Sequence, residues 1–352
     1  MLANRLKKRL RHLGKWARRT GTGAFRLYDR DIPEIPLVLD LYGYAGSDGS
    51  GSGNALSGAV VSGALYKRPY EKDAGEETRW LEAMRNATAR ALETETGNVI
   101  VKLRQRQQGR AQYEKVSGRG VIREVREGGL RFRVNLSGYL DTGLFLDRRA
   151  MRRMVGADSR GRRVLNLFCY TGSFSLHAAS GGAVSTDSVD LSNTYLGWAR
   201  DNFALNGFDA EILRPEEFFD RAGKRHGKPA HRLIRADVSA FLENAARAGT
   251  RWDSIVADPP AFSNSAMTRD DFDLRRDFAR LLSDAAALLS PGGRLWFGAS
   301  ARSFKSTAGE LETALARRFP RISVTDISSK TTDEDFRGRK TPGAFVIEPE
   351  KT

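Results

Sequence analysis

In the second half of the chain, short apolar segments alternate with segments that have the spacing of amphipathic helices. Seven of the apolar segments predict strands: RVLNLF from Arg163, then STDSVD, RLIRAD, SIVAD, GRLWFG, RISVTDI and GAFVIE. Strands that alternate with helices indicate a mostly parallel, doubly wound sheet. We therefore predict an α/β domain with a seven-stranded sheet over residues 156–352, interrupted by a partly helical excursion at Gly207–His231.

The first residues predict a helix with one apolar face. Its apolar residues recur every three or four positions: Leu2, Leu6, Leu10, Leu13 and Trp16. Basic residues occupy more than half of the other positions, since the first 19 residues contain eight Lys and Arg and no acidic residue. Residues 1–24 are therefore interpreted as a basic amphipathic helix. A transit peptide or a membrane-surface helix has the same pattern, but the chain that follows looks folded, which favours an arm that binds RNA or packs on the next domain.

Residues 25–155 predict a small α+β domain that binds RNA or substrate. AVVSGALY predicts a strand, ETRWLEAMRNATARALE a helix, and VKLRQRQQGRAQYEK a strand that continues into a basic loop. The Gly/Ser-rich stretch Gly46–Asn54 is expected to be a flexible insertion. Cations that alternate with an aromatic residue suit phosphate contacts and base stacking, and the candidate RNA-binding residues here are Arg104, Arg106, Arg110, Tyr113 and Lys115. A solvated basic hairpin is the alternative.

Charge is the unusual feature of the composition. The chain has 58 Lys and Arg against 43 Asp and Glu, a formal net charge of +15. This excess favours a polyanionic partner, although a general solubility bias would also produce it. One cysteine and four histidines without ligand spacing predict no metal site. Because no apolar run could span a membrane and no secretory signal is recognisable, we expect a cytoplasmic protein without a membrane partner, and we assume a monomer.

Polar residues end four successive predicted strands. These residues are Asn166, Asp190, Asp237 and Asp258. In a parallel sheet the carboxyl ends of the strands form the ligand-binding edge. The turn Tyr170–Thr171–Gly172 has no GxGxxG pattern, so a dinucleotide is disfavoured, whereas its glycine lets the backbone approach a ligand. Asp190 is the expected partner of ribose hydroxyls, and Asp237 is placed to accept from an adenine amino group. Together they predict an adenosine cofactor without phosphates, S-adenosylmethionine.

The fourth of these strands leads into the segment Asp258–Pro259–Pro260, which Phe262 follows closely. Prolines fix the backbone and lack N–H donors, so this rim presents carbonyl groups and the Asp258 carboxylate as acceptors. Phe262 offers a face on which a flat base can stack. We predict that these four residues hold the methyl acceptor; a proline-capped turn with its Phe in the core is the alternative.

Several motifs resemble one enzyme family. NLFCYTGSFSLHAA, VDLSNTYLGWARDNFALNG, DPPAFSNS and YLDTGLFLDRR are similar to the bacterial large-subunit ribosomal RNA methyltransferases of the RlmK/RlmI group. NRLKKRLRHLGKWARR, FRLYDRDIPE, LRQRQQGRAQYEK and KTTDEDF extend the resemblance towards RlmK, the C-terminal half of the bifunctional RlmKL fusion. It implies a Rossmann-like class I methyltransferase domain behind a smaller RNA-contacting domain, with S-adenosylmethionine as cofactor. It also implies 23S ribosomal RNA as partner and 7-methylguanosine as product, and that the second activity of the fusion is absent.

The resemblance also assigns roles to residues and makes the N-terminal helix part of the domain. It implies that Thr142, Gly143 and Asp147 cover the methionine end of the cofactor. The other implied cofactor positions are Phe168, Thr171, Gly172 and Ser192. On the N-terminal helix, the implied RNA contacts are Lys7, Lys8 and Arg11.

The available nucleophile limits the target atom. Methylation of a pyrimidine at C5 needs a thiolate. In the cytosine-modifying relatives of the family this cysteine lies just past the fifth strand, and the corresponding stretch here, RLWFGASARSFK, contains no cysteine. The only cysteine, Cys169, is expected to be a buried inert thiol beside the cofactor turn. Guanine N7 attacks through its own lone pair, so alignment suffices; an exocyclic amine would use the same rim, and the family resemblance favours N7. A 5-methylcytidine transferase using Cys169, a catalytically silent RNA-binding assembly factor and a DNA amino-methyltransferase are the alternatives.

Overall fold

The structure, a computed structural model, describes most of the chain. The described residues are 1–45, 55–66, 73–104, 120–139, 141–221, 230–263, 271–299, 304–339 and 341–349. They form two compact units, of which the first comprises Met1–Leu146 with Glu334–Arg337 and the second Asp147–Asp333 with Gly338–Thr352. The insertion predicted at Gly46–Asn54 lies outside the described residues.

A four-stranded sheet and two helices make up most of the first unit. In chain order these are α1 (Leu2–Thr20), β1 (Ala24–Asp29), β2 (Leu37–Tyr42), β3 (Val60–Tyr66), α2 (Ala74–Leu92) and β4 (Val99–Arg104). The strands lie in the order β1-β2-β3-β4, and only β3 and β4 are parallel, because α2 connects them as a crossover. A separate antiparallel hairpin follows, of β5 (Ile122–Glu127) and β6 (Leu130–Asn135). The predicted strand–helix–strand succession is confirmed.

Helix α1 buries the face that its apolar spacing predicts. Its buried residues are Leu2, Leu6, Leu13, Gly14, Trp16 and Ala17. Leu10 is partly buried against the same core. Lys7, Lys8 and Arg11 lie on the other side and are exposed. The helix therefore contributes to the core of the first unit and also presents a basic surface.

A short segment from the C-terminal part of the chain, Glu334–Arg337, belongs to the first unit. Asp335 is fully buried, and its carboxylate accepts the backbone N–H of Arg26 at 3.0 Å. Arg9 on α1 donates to the carbonyl of Asp335 at 3.1 Å. The Arg26 guanidinium lies 5.0 Å from the centre of the Phe336 ring. These contacts hold Asp335 and Phe336, the last two residues of the KTTDEDF motif, against α1 and β1.

An eight-stranded sheet with helices forms the second unit. Its elements are α3 (Arg149–Asp158), β7 (Arg163–Leu167), α4 (Ser173–Ser180), β8 (Ser185–Asp190), α5 (Asn193–Leu205), β9 (Ala210–Leu213), α6 (Pro215–Arg221), β10 (His231–Arg235), α7 (Val238–Arg247), β11 (Trp252–Ala257), β12 (Phe262–Ser263), β13 (Phe272–Asp273), α8 (Leu274–Ala286), β14 (Leu289–Ala299), α9 (Ala308–Ala316), β15 (Ile322–Asp326) and β16 (Gly343–Pro349). The sheet order is β15-β16-β14-β11-β7-β8-β10-β9. Only β16 runs antiparallel to its neighbours in this sheet; β12 and β13 form a small separate ribbon.

All seven predicted strands are confirmed, but the sheet has an eighth, β9. The interpretation of Gly207–His231 as an excursion is wrong at its start, where Ala210–Leu213 pairs in parallel with β10 at the sheet edge. Four residues with two half-buried positions are too short to show a strand period. The division between the units also lies before the predicted boundary at residue 156, because Met151 and Val155 of α3 are buried in the core of the second unit.

Apolar clusters cover both faces of the large sheet. One cluster includes Phe241 of α7, Leu282 of α8 and Leu311 of α9. The other includes Met151 of α3 and Phe174 of α4. Burial on both faces explains why β7 and β11 are nearly continuous apolar runs rather than alternating ones. Within the described ranges, no helix combines the length and the apolar character that a membrane crossing would need.

Candidate active site

The segments that follow β7, β8, β10 and β11 meet at the carboxyl edge of the large sheet. The order β11-β7-β8-β10 places them side by side. After β7 the chain continues through β8 to one side, and it later returns as β11 on the other side. Such a reversal opens a crevice at the carboxyl ends of the two central strands, where α/β sheets bind ligands. The residues predicted from the strand ends are therefore brought together.

The turn between β7 and α4 has an unusual backbone. Phe168, Tyr170 and Gly172 all have positive φ angles, of 56°, 53° and 74°. For a non-glycine residue this conformation costs on the order of 1 kcal/mol or more and is concentrated at functional sites. A Cβ at Gly172 would lie 3.0 Å from the Cβ of Ala199. Both the positive φ angle and this close contact therefore favour glycine. Thr171 is fully buried, and its carbonyl accepts from Asn202 at 3.0 Å.

Asp190, at the end of β8, is fixed by the same turn. One carboxylate oxygen accepts the N–H of Tyr170 at 2.9 Å, and the other accepts the N–H of Ser192, also at 2.9 Å. Burial raises the pKa of this carboxyl to about 6, because these backbone hydrogen bonds offset the desolvation only in part. Each oxygen keeps a second lone pair, so the carboxylate can still accept from hydroxyl groups of a ligand. Ser192 caps α5 by accepting the N–H of Tyr195 at 3.3 Å.

An aromatic group that the sequence analysis missed lies beside this carboxylate. The ring of Tyr170 packs edge-on against Tyr195, with centroids 4.5 Å apart, and lies 6.5 Å from the ring of Trp198. The spacing of Tyr195 and Trp198, three residues apart on α5, was the available signal. The group supports Tyr170 in its strained conformation.

Asn166 and Asp237 have local partners of their own. Asn166 lies within β7, is 1% exposed, and donates to the hydroxyl of Ser175 at 2.9 Å. This differs from the expectation of a strand-end ligand, because β7 continues to Leu167 and the amide faces α4. Asp237 caps α7 by accepting the N–H of Ala240 at 2.9 Å. Cofactor contacts by these two residues stay predictions.

The Asp258–Phe262 segment follows β11 as predicted. Both oxygens of Asp258 are paired with Arg148, a residue that the sequence analysis did not single out. Pro259 is buried, whereas the Phe262 side chain is 44% exposed. The β12–β13 ribbon pairs Phe262 with Asp273, so the ring is presented on an ordered backbone. The interpretation of this Phe as a core residue is therefore wrong.

Other predicted residues lie elsewhere or are not described. Thr142 and Gly143 belong to the first unit, where the Thr142 hydroxyl is 2.9 Å from that of Tyr42; Asp147 begins the second unit. Arg104 ends β4, and of its side chain nothing is described; Arg106, Arg110, Tyr113 and Lys115 lie outside the described residues. Among the residues that the structure describes, no three His, Cys, Asp or Glu side chains are grouped as metal ligands would be.

Comparison with known proteins gives the family. The sequence model of the S-adenosylmethionine-dependent methyltransferases matches residues 52–314. The chain is 41% identical, over 338 residues, to "Ribosomal RNA large subunit methyltransferase K" of Neisseria meningitidis serogroup B, covering 96% of this chain and 84% of that protein. The chain belongs to the S-adenosylmethionine-dependent methyltransferase family. It is an enzyme that uses S-adenosylmethionine, as the sequence analysis predicted.

Two further similarities concern protein length and fold. The chain is 42% identical to "Ribosomal RNA large subunit methyltransferase K/L" of Pseudomonas fluorescens, covering 96% of this chain but only 39% of that longer protein. A solved structure of SMU.776, described as a putative methyltransferase complexed with SAH, superposes with a TM-score of 0.67 at 21% identity, covering 98% of this chain and 81% of that one. The predicted Rossmann-like methyltransferase fold is thus confirmed.

Proposed function

We propose that this methyltransferase modifies 23S ribosomal RNA and that N7 of a guanine accepts the methyl group. The burial and protonation of Cys169 are the observations that favour a nitrogen atom as the acceptor. The residue is 4% exposed, and burial, with a further contribution from the charge of Asp190, raises the pKa of its thiol well above the ordinary value. An enclosed, protonated thiol is a poor nucleophile, and the chain has no other cysteine. Methylation at pyrimidine C5 therefore lacks its nucleophile.

The substrate class is supported by the relatives and by charge. Two relatives that match 96% of this chain are named as methyltransferases of large-subunit ribosomal RNA. The net charge of +15 suits a polyanion. On α1, the exposed side chains of Lys7, Lys8 and Arg11 supply cations for phosphate contacts, while the opposite face anchors the helix in the core. The silent assembly-factor alternative is disfavoured by membership in an enzyme family with the cofactor edge intact.

The described residues fit S-adenosylmethionine and suggest a mechanism based on alignment. When bound, the cofactor supplies a methyl group activated by a sulfonium. Asp190 would accept from ribose hydroxyls, and the strained turn at Phe168–Gly172 would let the backbone approach the cofactor. Phe262 offers its exposed ring to the base. Guanine N7 has a free lone pair and loses no proton, so holding the reacting atoms near attack distance supplies the catalysis.

Methyl transfer to unmodified 23S ribosomal RNA, followed by nucleoside analysis, tests this proposal. Wild-type protein and Cys169→Ala would be compared with radiolabelled S-adenosylmethionine. We expect label in 7-methylguanosine for both proteins, because the thiol takes no part. Label in 5-methylcytidine that disappears in Cys169→Ala would overturn the proposal, and label in an exocyclic N-methylguanosine would move the acceptor to the amine. RNA binding without any transfer would favour the silent factor.

A further inference from the structure

A buried ion pair lies directly at the Asp258–Phe262 segment. Nη2 of Arg148 lies 2.6 Å from Oδ1 of Asp258, and Nε lies 3.0 Å from Oδ2. The side chains of Arg148 and Asp258 are only 4% and 11% exposed. Two parallel charge-assisted hydrogen bonds of this kind fix the plane of the carboxylate as well as its position. The pair joins residues 110 positions apart in the chain.

The neighbouring strands pack closely around this ion pair. A Cβ at Gly298 of β14 would lie 2.9 Å from Nη2 of Arg148 and would also collide with the Asp258 carboxylate. The carbonyl of Gly343, which begins β16, accepts from Nη1 of Arg148 at 3.4 Å. Strand β14, the start of β16 and the segment after β11 therefore all lie against the guanidinium that the turn before α3 presents. A buried charge left without its partner is strongly unfavourable, so the two side chains depend on each other.

The ion pair also determines what the carboxylate can do. Both oxygens of Asp258 accept from the guanidinium, so Arg148 fixes the direction of the lone pair that remains on each oxygen. A guanine that is methylated at N7 loses no proton, so this carboxylate is needed for positioning rather than as a base. The exposed ring of Phe262, four residues along, is carried on the backbone that the pair holds.

We propose that Arg148 is a positioning residue for methyl transfer: by holding Asp258 it fixes the Asp258–Phe262 backbone that orients the acceptor base. The inference rests on the proposed function and deepens it, because it assigns Arg148 to the alignment of the acceptor base. Catalysis by alignment is sensitive to displacements of about 1 Å. Loss of either partner should therefore slow transfer and leave the cofactor side of the site intact.

A double-mutant cycle tests this coupling. Arg148→Gln, Asp258→Asn and the double variant would be compared by single-turnover methyl transfer to unmodified 23S ribosomal RNA and by calorimetric binding of S-adenosylmethionine. We expect each single variant to slow transfer about 100-fold, in keeping with misplacement in a site built on alignment. The double variant should be no slower than the slower single one, and the cofactor Kd should change less than about threefold. Arg148→Lys, which keeps the charge and one contact, should recover about tenfold over Arg148→Gln.

A second bidentate Arg–Asp pair, between β7 and β11, provides a control. Arg163 begins β7, and Nη2 and Nε of its guanidinium lie 3.0 Å and 3.2 Å from the carboxylate of Asp253 on β11. This bidentate pair lies at the opposite edge of the sheet, so Arg163→Gln and Asp253→Asn should lower Tm without slowing transfer more than about threefold. That contrast separates positioning from general loss of stability.

Three results would overturn the inference. The first is transfer at the wild-type rate by Arg148→Gln. The second is a far greater loss in Asp258→Asn than in Arg148→Gln, with multiplicative effects in the double variant, since Asp258 would then act on the base itself. The third is equal slowing by the Arg163 control. A wild-type protein that transfers no methyl group to this RNA would instead refute the proposed function. If Arg148→Gln does not fold, Arg148→Lys would be compared with the wild type and with the Arg163 control in the same two assays.

Discussion

Lowering the pH should weaken cofactor binding through Asp190. Burial raises the pKa of this carboxyl to about 6, and only the ionised form accepts from two ribose hydroxyls with both oxygens. A ligand that binds only the ionised form has an apparent Kd that rises as the group protonates. With a pKa near 6, the Kd should be about twofold higher at pH 6 than at pH 8, and about elevenfold higher at pH 5.

Isothermal calorimetry with S-adenosylhomocysteine between pH 8 and pH 5 would measure this effect. The demethylated product is chosen because it keeps the ribose and cannot transfer a methyl group. Asp190→Asn is the control: its affinity should be lower at pH 8 and almost independent of pH, because no carboxyl remains to titrate. A wild-type Kd that stays constant down to pH 5, or an equal pH dependence in Asp190→Asn, would refute the assignment of this carboxylate to the ribose.

Asp190 affects the stability of the cofactor-free protein with the opposite pH dependence from its effect on cofactor binding. Its pKa in the folded state lies above the ordinary value of 3.8, so the folded protein without cofactor holds the proton more tightly than the unfolded chain. The stabilisation is fully present below about pH 4 and is lost as the pH rises through about 6. Cofactor should therefore raise Tm more at pH 8 than at pH 5.

Three further predictions concern the acceptor, the RNA and the cofactor turn. Phe262→Ala should slow methyl transfer about 5- to 150-fold and leave the cofactor Kd unchanged, since stacking on a base contributes about 1–3 kcal/mol. The triple variant Lys7→Glu, Lys8→Glu, Arg11→Glu should weaken RNA binding and flatten its dependence on salt, by up to three units of slope if each cation contacts a phosphate. Gly172→Ala should raise the cofactor Kd, because alanine at φ 74° is strained and its Cβ would lie 3.0 Å from that of Ala199.

Matched variants distinguish these effects from general damage. Val184, which is 55% exposed just before β8 and away from the carboxyl edge of the sheet, is an exposed apolar residue like Phe262, and Val184→Ala should leave transfer unchanged. Arg247→Glu, Arg317→Glu and Arg321→Glu change the net charge equally at exposed positions at the ends of α7 and α9 and just before β15. If this second triple variant reduces the salt slope as much as the first, α1 has no special part in RNA binding.

The residues at the strand ends could be predicted because their signals are local. Asp190 ends the second predicted strand, about twenty residues after the first, and this spacing is enough to place it at the sheet edge. Asn166 has the same kind of signal, yet its amide faces α4, because a one-residue difference in where a strand ends reverses the direction of a side chain.

Contacts between distant parts of the chain could not be predicted in the same way. The pair of Arg148 with Asp258 depends on how the turn before α3 approaches β11, and nothing in either local sequence indicates the partner. β9 was missed because Ala210–Leu213 is too short for an alternation of apolar and polar residues to be recognised. The segment Glu334–Arg337 shows the same limit, since its place in the first unit follows from contacts with Arg9 and Arg26 rather than from its neighbours in sequence.

Methyl transfer to an RNA that contains 7-deazaguanine tests whether guanine N7 is the acceptor. Transcripts of the 23S target made with this base have carbon in place of N7 and keep the exocyclic amine, so the two candidate acceptors are separated in one substrate. If N7 is the acceptor, the protein binds this RNA with the affinity of the ordinary transcript and transfers no methyl group to it. Transfer at a comparable rate to both transcripts would contradict guanine N7 as the acceptor.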